Sequence, residues 1–207
     1  MKDHRDGIGG TGRADDAQGR PGAVETTPDT ARHVVRHATP ADADAVAAIE
    51  RAGFPPAEAA SPQAIRARIA AFPECFWLLV DAPAGVDADA GGRVVAFIDG
   101  FATGRADLTD DMYDDPAAHD PHGAWQMIFG VATAPDRRGR GCASMLMRRV
   151  IEDCRARGRR GVVLTCKERL VGFYERFGYV DEGISQSTHG GVTWHRMRLT
   201  LRQTAGD

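Results

Sequence analysis

A mixed α/β domain is what this sequence predicts, and three observations carry the expectation. Apolar runs rich in β-branched and aromatic residues (FWLLVDA, RVVAFIDGFA, WQMIFGVA, GVVLTC) read as strands. Between and around them lie segments whose apolar residues recur at helical spacing, so strands and helices alternate along the chain. Finally, 207 residues with 43% hydrophobic content suffice for one sizeable core.

The elements follow in order. Residues 1–31 are rich in Gly, Asp, Arg and Thr and nearly lack large apolar side chains, so a disordered tail is expected, with the folded domain over 32–203. Order is expected to begin with the short strand HVVRHAT. In the helix that follows, Pro40 suits the first turn, Asp42 and Asp44 complement the dipole, and Val46, Ile49 and Phe54 form the apolar stripe. Ser61 and Pro62 start a second helix, with Ile65, Ile69 and Phe72 as its stripe. The first two apolar runs become strands joined by loop chemistry in PAGVDADAGG, and the acidic stretch from Asp107 to Asp120 becomes a long loop. WQMIFGVA then gives a strand and the next helix runs from about Gly141 to about Arg157, with Met145, Leu146, Val150 and Ile151 facing inward. The strand GVVLTC, a short helix in ERLVGFYERF and two strands around YVDEGIS and TWHRMRLTL complete the chain.

Charge and cysteines exclude several classes. Lys+Arg 26 against Asp+Glu 29 gives a formal charge of -3, without the basic excess of a nucleic-acid binder. No segment reaches the roughly 18 apolar residues of a membrane span, and a cytoplasmic protein without membrane partners is expected. Cys75, Cys142, Cys154 and Cys166 form no CxxC pair and have no His at zinc-ligand spacing, so reduced thiols and no metal are expected.

The segment IFGVATAPDRRGRGCASMLMRRV carries the first chemistry. A strand runs into a turn of arginines and glycines, and the turn opens a helix whose free N–H groups and dipole suit an anion; the glycines let a phosphate approach the backbone. The Gly-Lys-Ser/Thr of a phosphate-binding loop is absent, and the offsets of a dinucleotide fingerprint do not fit. Arg138-x-x-Gly141-x-Ala143 instead resembles the acetyl-CoA pyrophosphate loop of the GNAT acetyltransferases. About thirty residues later comes FYERFGY, in which Leu170, Phe173 and Phe177 are read as a core-facing stripe that leaves the Tyr174 hydroxyl free to reach a cleft.

From about His33 to Leu201 the chain resembles one branch of that superfamily, the arylalkylamine (serotonin-type) N-acetyltransferases. The resemblance rests on IERAGF, FPE, VVAFIDGFATGRADLT, RRGRG, LTCKERLVGFYERFGYVDEG and HGGVTW, all in the same order. It implies a mostly antiparallel central sheet flanked by helices, with a splayed strand pair holding acetyl-CoA. The implied acetyl-CoA contacts are Phe129, Gly130, Val131, Arg137, Arg138, Gly139, Arg140, Gly141, Cys142, Ala143, Ser144 and Phe173. Tyr174 would protonate the leaving thiolate. Phe54, Pro62, Met127, His189, Val192 and Trp194 would line the amine pocket, with Trp194 stacking on an aromatic substrate.

One departure bears on mechanism. The two strand histidines that relay the amine proton in the animal enzymes are replaced here by Trp125 and Met127. An alkylammonium must still lose a proton before it attacks. His119, His122, His189 or an acidic residue acting through water are open candidates, and His122 is carried forward as the catalytic one. The expected activity is direct acetyl transfer from acetyl-CoA to a small primary amine by a monomer or homodimer. Alternatives are a polyamine, aminoglycoside or protein amine as acceptor, or a non-catalytic acyl-CoA sensor. Two further expectations concern a lowered Cys142 pKa at the helix start and steering of cationic amines by the acidic loop.

Overall fold

In the computed structural model, which describes residues 32–82 and 92–202, the inner strands of the sheet bury both faces. Along β2 (Phe76–Ala82), Phe76, Leu78 and Val80 pack on one side, while Trp77 and Leu79 join the core on the other. This double burial is why the strand reads as a continuous apolar run. β1 (Arg32–His37), β3 (Arg93–Thr103) and β4 (Trp125–Thr133) extend the antiparallel ladder on either side of it. β5 (Gly161–Cys166) pairs parallel to β4, and β7 (His195–Thr200) and β6 (Val180–Ile184) close the order β1-β2-β3-β4-β5-β7-β6.

Helices cover both faces. α1 (Ala43–Gly53), entered through a 3-10 turn at Pro40–Asp42, and α2 (Pro62–Ala71) bury Val46, Ile49, Ile65 and Ile69 over one side. Ser61 caps α2, its hydroxyl accepting the Ala64 N–H at 3.1 Å. α3 (Cys142–Ala156) packs Leu146, Met147, Val150, Ile151 and Cys154 on the other side. The Trp77 indole N–H donates to Asp153 at 2.8 Å, which fixes the register of α3 on β2. The inward stripe is therefore displaced from its expected position: Met145 is 38% exposed and Met147 takes the buried place.

Two elements differ from expectation. The short helix divides into a 3-10 turn at Glu168–Leu170 and α4 (Val171–Glu175); Tyr174 is its buried residue, Leu170 is exposed, and Phe173 and Phe177 only flank the core. The acidic 104–124 stretch holds two 3-10 turns, Asp110–Tyr113 and Pro116–Ala118. Three of its carboxylates are used within the fold: Asp107 pairs with Arg198 at 2.6 Å, Asp111 with Arg105 at 2.7 Å, and Asp110 accepts the Thr188 N–H at 2.9 Å. Acids tied up in this way offer little free charge for steering a cation. The expected N-terminal tail and the 83–91 loop lie outside the described residues. Among the described residues, no helix is long and apolar enough to cross a membrane.

Candidate active site

The site begins where two parallel strands part. β4 and β5 pair from Trp125–Gly161 to Ile128–Leu164, and there the ladder stops while both strands continue. From Phe129 onward, the β4 backbone edge faces a cleft between the strands. A bulge adds to the opening: Asp99 pairs with Gly130 and Gly100 with Ile128, leaving Phe129 as the extra residue. Phe129 and Val131 of β4 line this cleft, together with Leu164, Thr165 and Cys166 of β5 and Tyr174 of α4. Burial, reinforced by the neighbouring Cys166 thiol, pushes the Tyr174 hydroxyl pKa up, so it stays protonated as an acid must.

One mouth of the cleft leads to the loop before α3. Gly139 (φ 73°) and Gly141 (φ 82°) adopt the left-handed conformation, which is why glycine recurs here, and Gly141 caps the helix. The adjoining groove is lined by Arg137, Arg138, Gly139, Gly141, Cys142, Ala143, Ser144, Phe173 and Arg176. Two of the three arginines act as struts. Arg138 donates to the Ala52 carbonyl at 2.9 Å and the Thr133 carbonyl at 3.3 Å, and Arg137 pairs with Asp81 at 2.7 Å. The anion-binding capacity of this groove therefore lies chiefly in backbone N–H groups at the start of α3, with Arg140 exposed beside them. Cys142 is buried, and that burial raises its pKa, contrary to the expected lowering.

The other mouth holds three charges that the sequence places at core positions. Glu50 follows Val46 and Ile49 on the buried face of α1, Arg68 sits between Ile65 and Ile69 on α2, and Asp99 interrupts the apolar run of β3. All three are buried. Arg68 donates to Asp99 at 3.0 Å and to the Tyr113 carbonyl at 2.9 Å, and its guanidinium lies 4.8 Å from the centre of the Phe129 ring. Glu50 Oε1 accepts the Ala60 N–H at 2.7 Å, whereas Oε2 is buried without a partner among the described residues. A Cβ at Gly130 would lie 2.6 Å from Asp99 Oδ1, so glycine lets the Asp99 carboxylate abut the strand, while Glu50 Oε2 lies at ordinary contact distance, 3.8 Å from the same point. Burial, reinforced by the Asp99 charge, raises the Glu50 pKa to about 7, against the pull of the Ala60 N–H and Arg68. A carboxyl so tuned can accept a proton near neutral pH. No motif flagged Glu50; the available signal was an acid at the i+4 position of an apolar helical stripe.

Aromatic side chains complete this mouth. Tyr113 stacks on His189 (ring centroids 4.9 Å apart) and lies 5.0 Å from Phe129, and the Trp194 indole donates to the His189 carbonyl at 2.8 Å. Phe54, His189 and Trp194 line the cleft; Tyr113, which the sequence reading missed, lines it as well. Other expected pocket residues stand elsewhere. Met127 is wholly buried in the core because its strand position faces α3, Pro62 is exposed at the outer end of α2, and Val192 is 37% exposed on the β6–β7 connection.

The histidine candidates separate as well. His122 is exposed on the turn before β4, its backbone N–H held by Asp120 at 2.9 Å, outside the cleft. His119 lies against Phe72 and Phe101 and bonds Glu74 at 2.9 Å. With Cys75 these two residues bring three ligand atoms within 4.8 Å of one another. The Ala102 N–H donates to His119 Nδ1 at 3.3 Å, so the imidazole proton sits on Nε2 toward Glu74, where a metal would have to bind. That tautomer suits a hydrogen-bonded pair rather than a cation site.

Split strands, a bulge opposite Asp99 and a glycine-opened helix define the class: the chain has the GNAT fold. Residues 122–180 match the family model described as the acetyltransferase (GNAT) domain. The serotonin N-acetyltransferase of Mesocricetus auratus is 31% identical over 112 residues, 54% of this chain and 53% of that protein, so the chain spans about half the length of this relative. A solved structure of GphF, a GNAT-like decarboxylase in complex with isobutyryl-CoA, matches with a TM-score of 0.66 and 21% identity, covering 82% of this chain and 100% of that one. A GNAT family acetyltransferase from Brucella melitensis in complex with acetyl-CoA matches with a TM-score of 0.51 and 20% identity over 83% of this chain and 89% of that one.

Proposed function

We propose that the chain is an N-acetyltransferase that moves the acetyl group of acetyl-CoA to a primary amine, with a small arylalkylamine as acceptor. The observation that carries this reading is that Glu50 and Tyr174 line one cleft, opened by the parting of β4 and β5. The pyrophosphate of coenzyme A would sit at the start of α3 among residues 137–144, and its acyl arm would run along the free edge of β4 at Phe129, Gly130 and Val131. Glu50 takes a proton from the bound ammonium. The neutral amine attacks the thioester carbonyl, whose developing charge the β4 backbone N–H groups stabilise. The C–S bond breaks as Tyr174 delivers its proton to the departing thiolate; the cationic nitrogen of the adduct gives up its second proton, which restores the Tyr174 hydroxyl and leaves the neutral amide. Base and acid come from different helices, on opposite sides of the sheet.

An aryl acceptor is supported by the wall of Phe54, Tyr113, Phe129, His189 and Trp194 and by the partial match to a serotonin N-acetyltransferase. The test is thiol release from acetyl-CoA with phenethylamine, tryptamine, spermidine, an aminoglycoside and a lysine peptide, each against a no-amine control. Release with the two arylalkylamines alone is the expected result. Release only with the polyamine or peptide would retain the reaction and discard the aryl pocket, and acetyl-CoA binding without release under any amine would discard the reaction. Tyr174→Phe is expected to lower kcat by about 10-fold or more while leaving the KM for acetyl-CoA nearly unchanged. An unchanged kcat would remove Tyr174 from the mechanism.

A further inference from the structure

The acceptor side of the cleft is bordered by a cation that the proposed reaction does not use. Lys167 follows the last residue of β5, and its Nζ lies 2.6 Å from Glu58 Oε1 and 5.7 Å from the centroid of the Trp194 ring. Glu58 and Trp194 line the same cleft as Glu50 and Tyr174. The Glu58 side chain is 5% exposed and that of Lys167 is 22% exposed, so the pair is largely withdrawn from water. A carboxylate and an aromatic face converging on one point are the groups that recognise an alkylammonium.

The subsite is held in shape from several segments. The Glu58 carbonyl accepts the His189 ring N–H at Nε2 (3.0 Å), and Trp194 bonds the His189 carbonyl. Gly190 packs so closely that a Cβ there would fall 2.5 Å from Glu58 Cγ. The loop between α1 and α2 and the connection between β6 and β7 thus close around the lysine ammonium.

We propose that Lys167 is a specificity residue: its ammonium fills a second cation subsite of the acceptor pocket, so that the site takes amines with one positive charge and turns diamines away. The role given to the pocket rests on the acetyl-transfer reading, whereas occupancy of the subsite does not. A diamine that placed one nitrogen at Glu50 would carry its second ammonium toward a carboxylate already neutralised by Lys167. Arg68, the other cation of that wall, is matched by Asp99. Asp114, at the neighbouring opening, is exposed and a weak counter-ion there. Like charge without a free partner is a repulsive device against the wrong ligand.

Binding without turnover tests the proposal. Calorimetric titration of phenethylamine and 1,4-diaminobutane, without acetyl-CoA, would compare the wild-type protein with Lys167→Met, Lys167→Arg and the double variant Lys167→Met/Glu58→Gln. The wild type is expected to prefer phenethylamine. Lys167→Met is expected to shift the ratio of affinities toward the diamine by about tenfold, Lys167→Arg to keep the wild-type ratio, and the double variant to lose the gain. Equal binding of both amines by the wild type, or an unchanged ratio in Lys167→Met, overturns the proposal. Loss of phenethylamine binding in Lys167→Met also overturns it, since Lys167 would then be a strut. The expected binding pattern without any thiol release would remove the reaction and leave the subsite standing.

Discussion

Glu50 is the base of the proposed reaction, and its environment makes two expectations. A base with a pKa of about 7 gives a kcat/KM that rises through neutral pH. Glu50→Gln is expected to lower kcat/KM about 10²-fold or more and to abolish that rise, measured as a pH profile of thiol release. Stability is expected to change in the opposite sense. Between the ordinary carboxyl value of 4.5 and about 7 the folded state binds the proton more tightly than the unfolded state, so this group's contribution falls as pH rises across that window. Glu50→Gln is therefore expected to be more stable than wild type above pH 7, by at most about 3 kcal/mol, with the gap closing toward pH 4.5. Urea midpoints at several pH values would measure it, and a gap independent of pH would contradict the assigned environment. The sequence displayed this residue, since an acid at a buried helical position is legible, but not its task. The raised pKa comes first from burial under the fold and then from Asp99, 49 positions away along the chain.

At the scale of elements, two local conformations shape the cleft. Gly100 sits at the β3–β4 bulge, where a Cβ would lie 1.8 Å from the Met127 carbonyl oxygen, a backbone atom that no rotamer change can move. Gly100→Ala is expected to lose at least about 2–3 kcal/mol of stability, read from urea unfolding. Gly141 differs: a Cβ there meets nothing within 4 Å, and only its φ of 82° resists substitution. Gly141→Ala is expected to cost about 1–2 kcal/mol through backbone strain and to weaken acetyl-CoA binding several-fold. Strand and helix spans were legible because strands buried on both faces and helices with one apolar stripe leave period signals. The bulge was not, because an extra residue becomes visible only against the partner strand. Arginine roles were hidden for a related reason: Arg138 reaches the Ala52 carbonyl, 86 residues away.

For the molecule as a whole, the Arg68–Asp99 pair joins α2 to the sheet beneath the acceptor mouth. Asp99→Asn would leave a buried guanidinium without its countercharge, and about 3–5 kcal/mol of stability is expected to be lost. The same change removes the negative charge that raises the Glu50 pKa and leaves Arg68 uncompensated. Both effects favour the Glu50 carboxylate, so the rising limb of the pH–rate profile is expected to move to lower pH. A limb that stays in place would show that Asp99 does not tune Glu50. The acidic loop belongs to this scale too. Asp107, Asp110 and Asp111 looked like free surface charge in the sequence, yet Asp107 ties the loop to β7, Asp110 ties it to the 185–191 segment and Asp111 braces it internally through Arg105, and the loop so held places Tyr113 in the cleft wall.

The sequence by itself determined the element order, the glycine-opened helix start after β4 and the apolar stripes of the first two helices, because these depend on neighbours within a few turns. It also placed Phe54, Tyr174, His189 and Trp194 in motifs that the fold brings to one cleft. Tertiary structure alone decided which charges meet. Glu50, Arg68 and Asp99 lie on three elements, and Lys167, Glu58 and Trp194 on three connecting segments. Their pairing follows from which strands are adjacent and where β4 and β5 part, and no local spacing records that. His122 shows the converse: close along the chain to β4, it points outward from a surface turn. Desolvation and Coulomb coupling act through space, so a histidine next to β4 in sequence lies outside the cleft while Glu50, on the first helix, lines it.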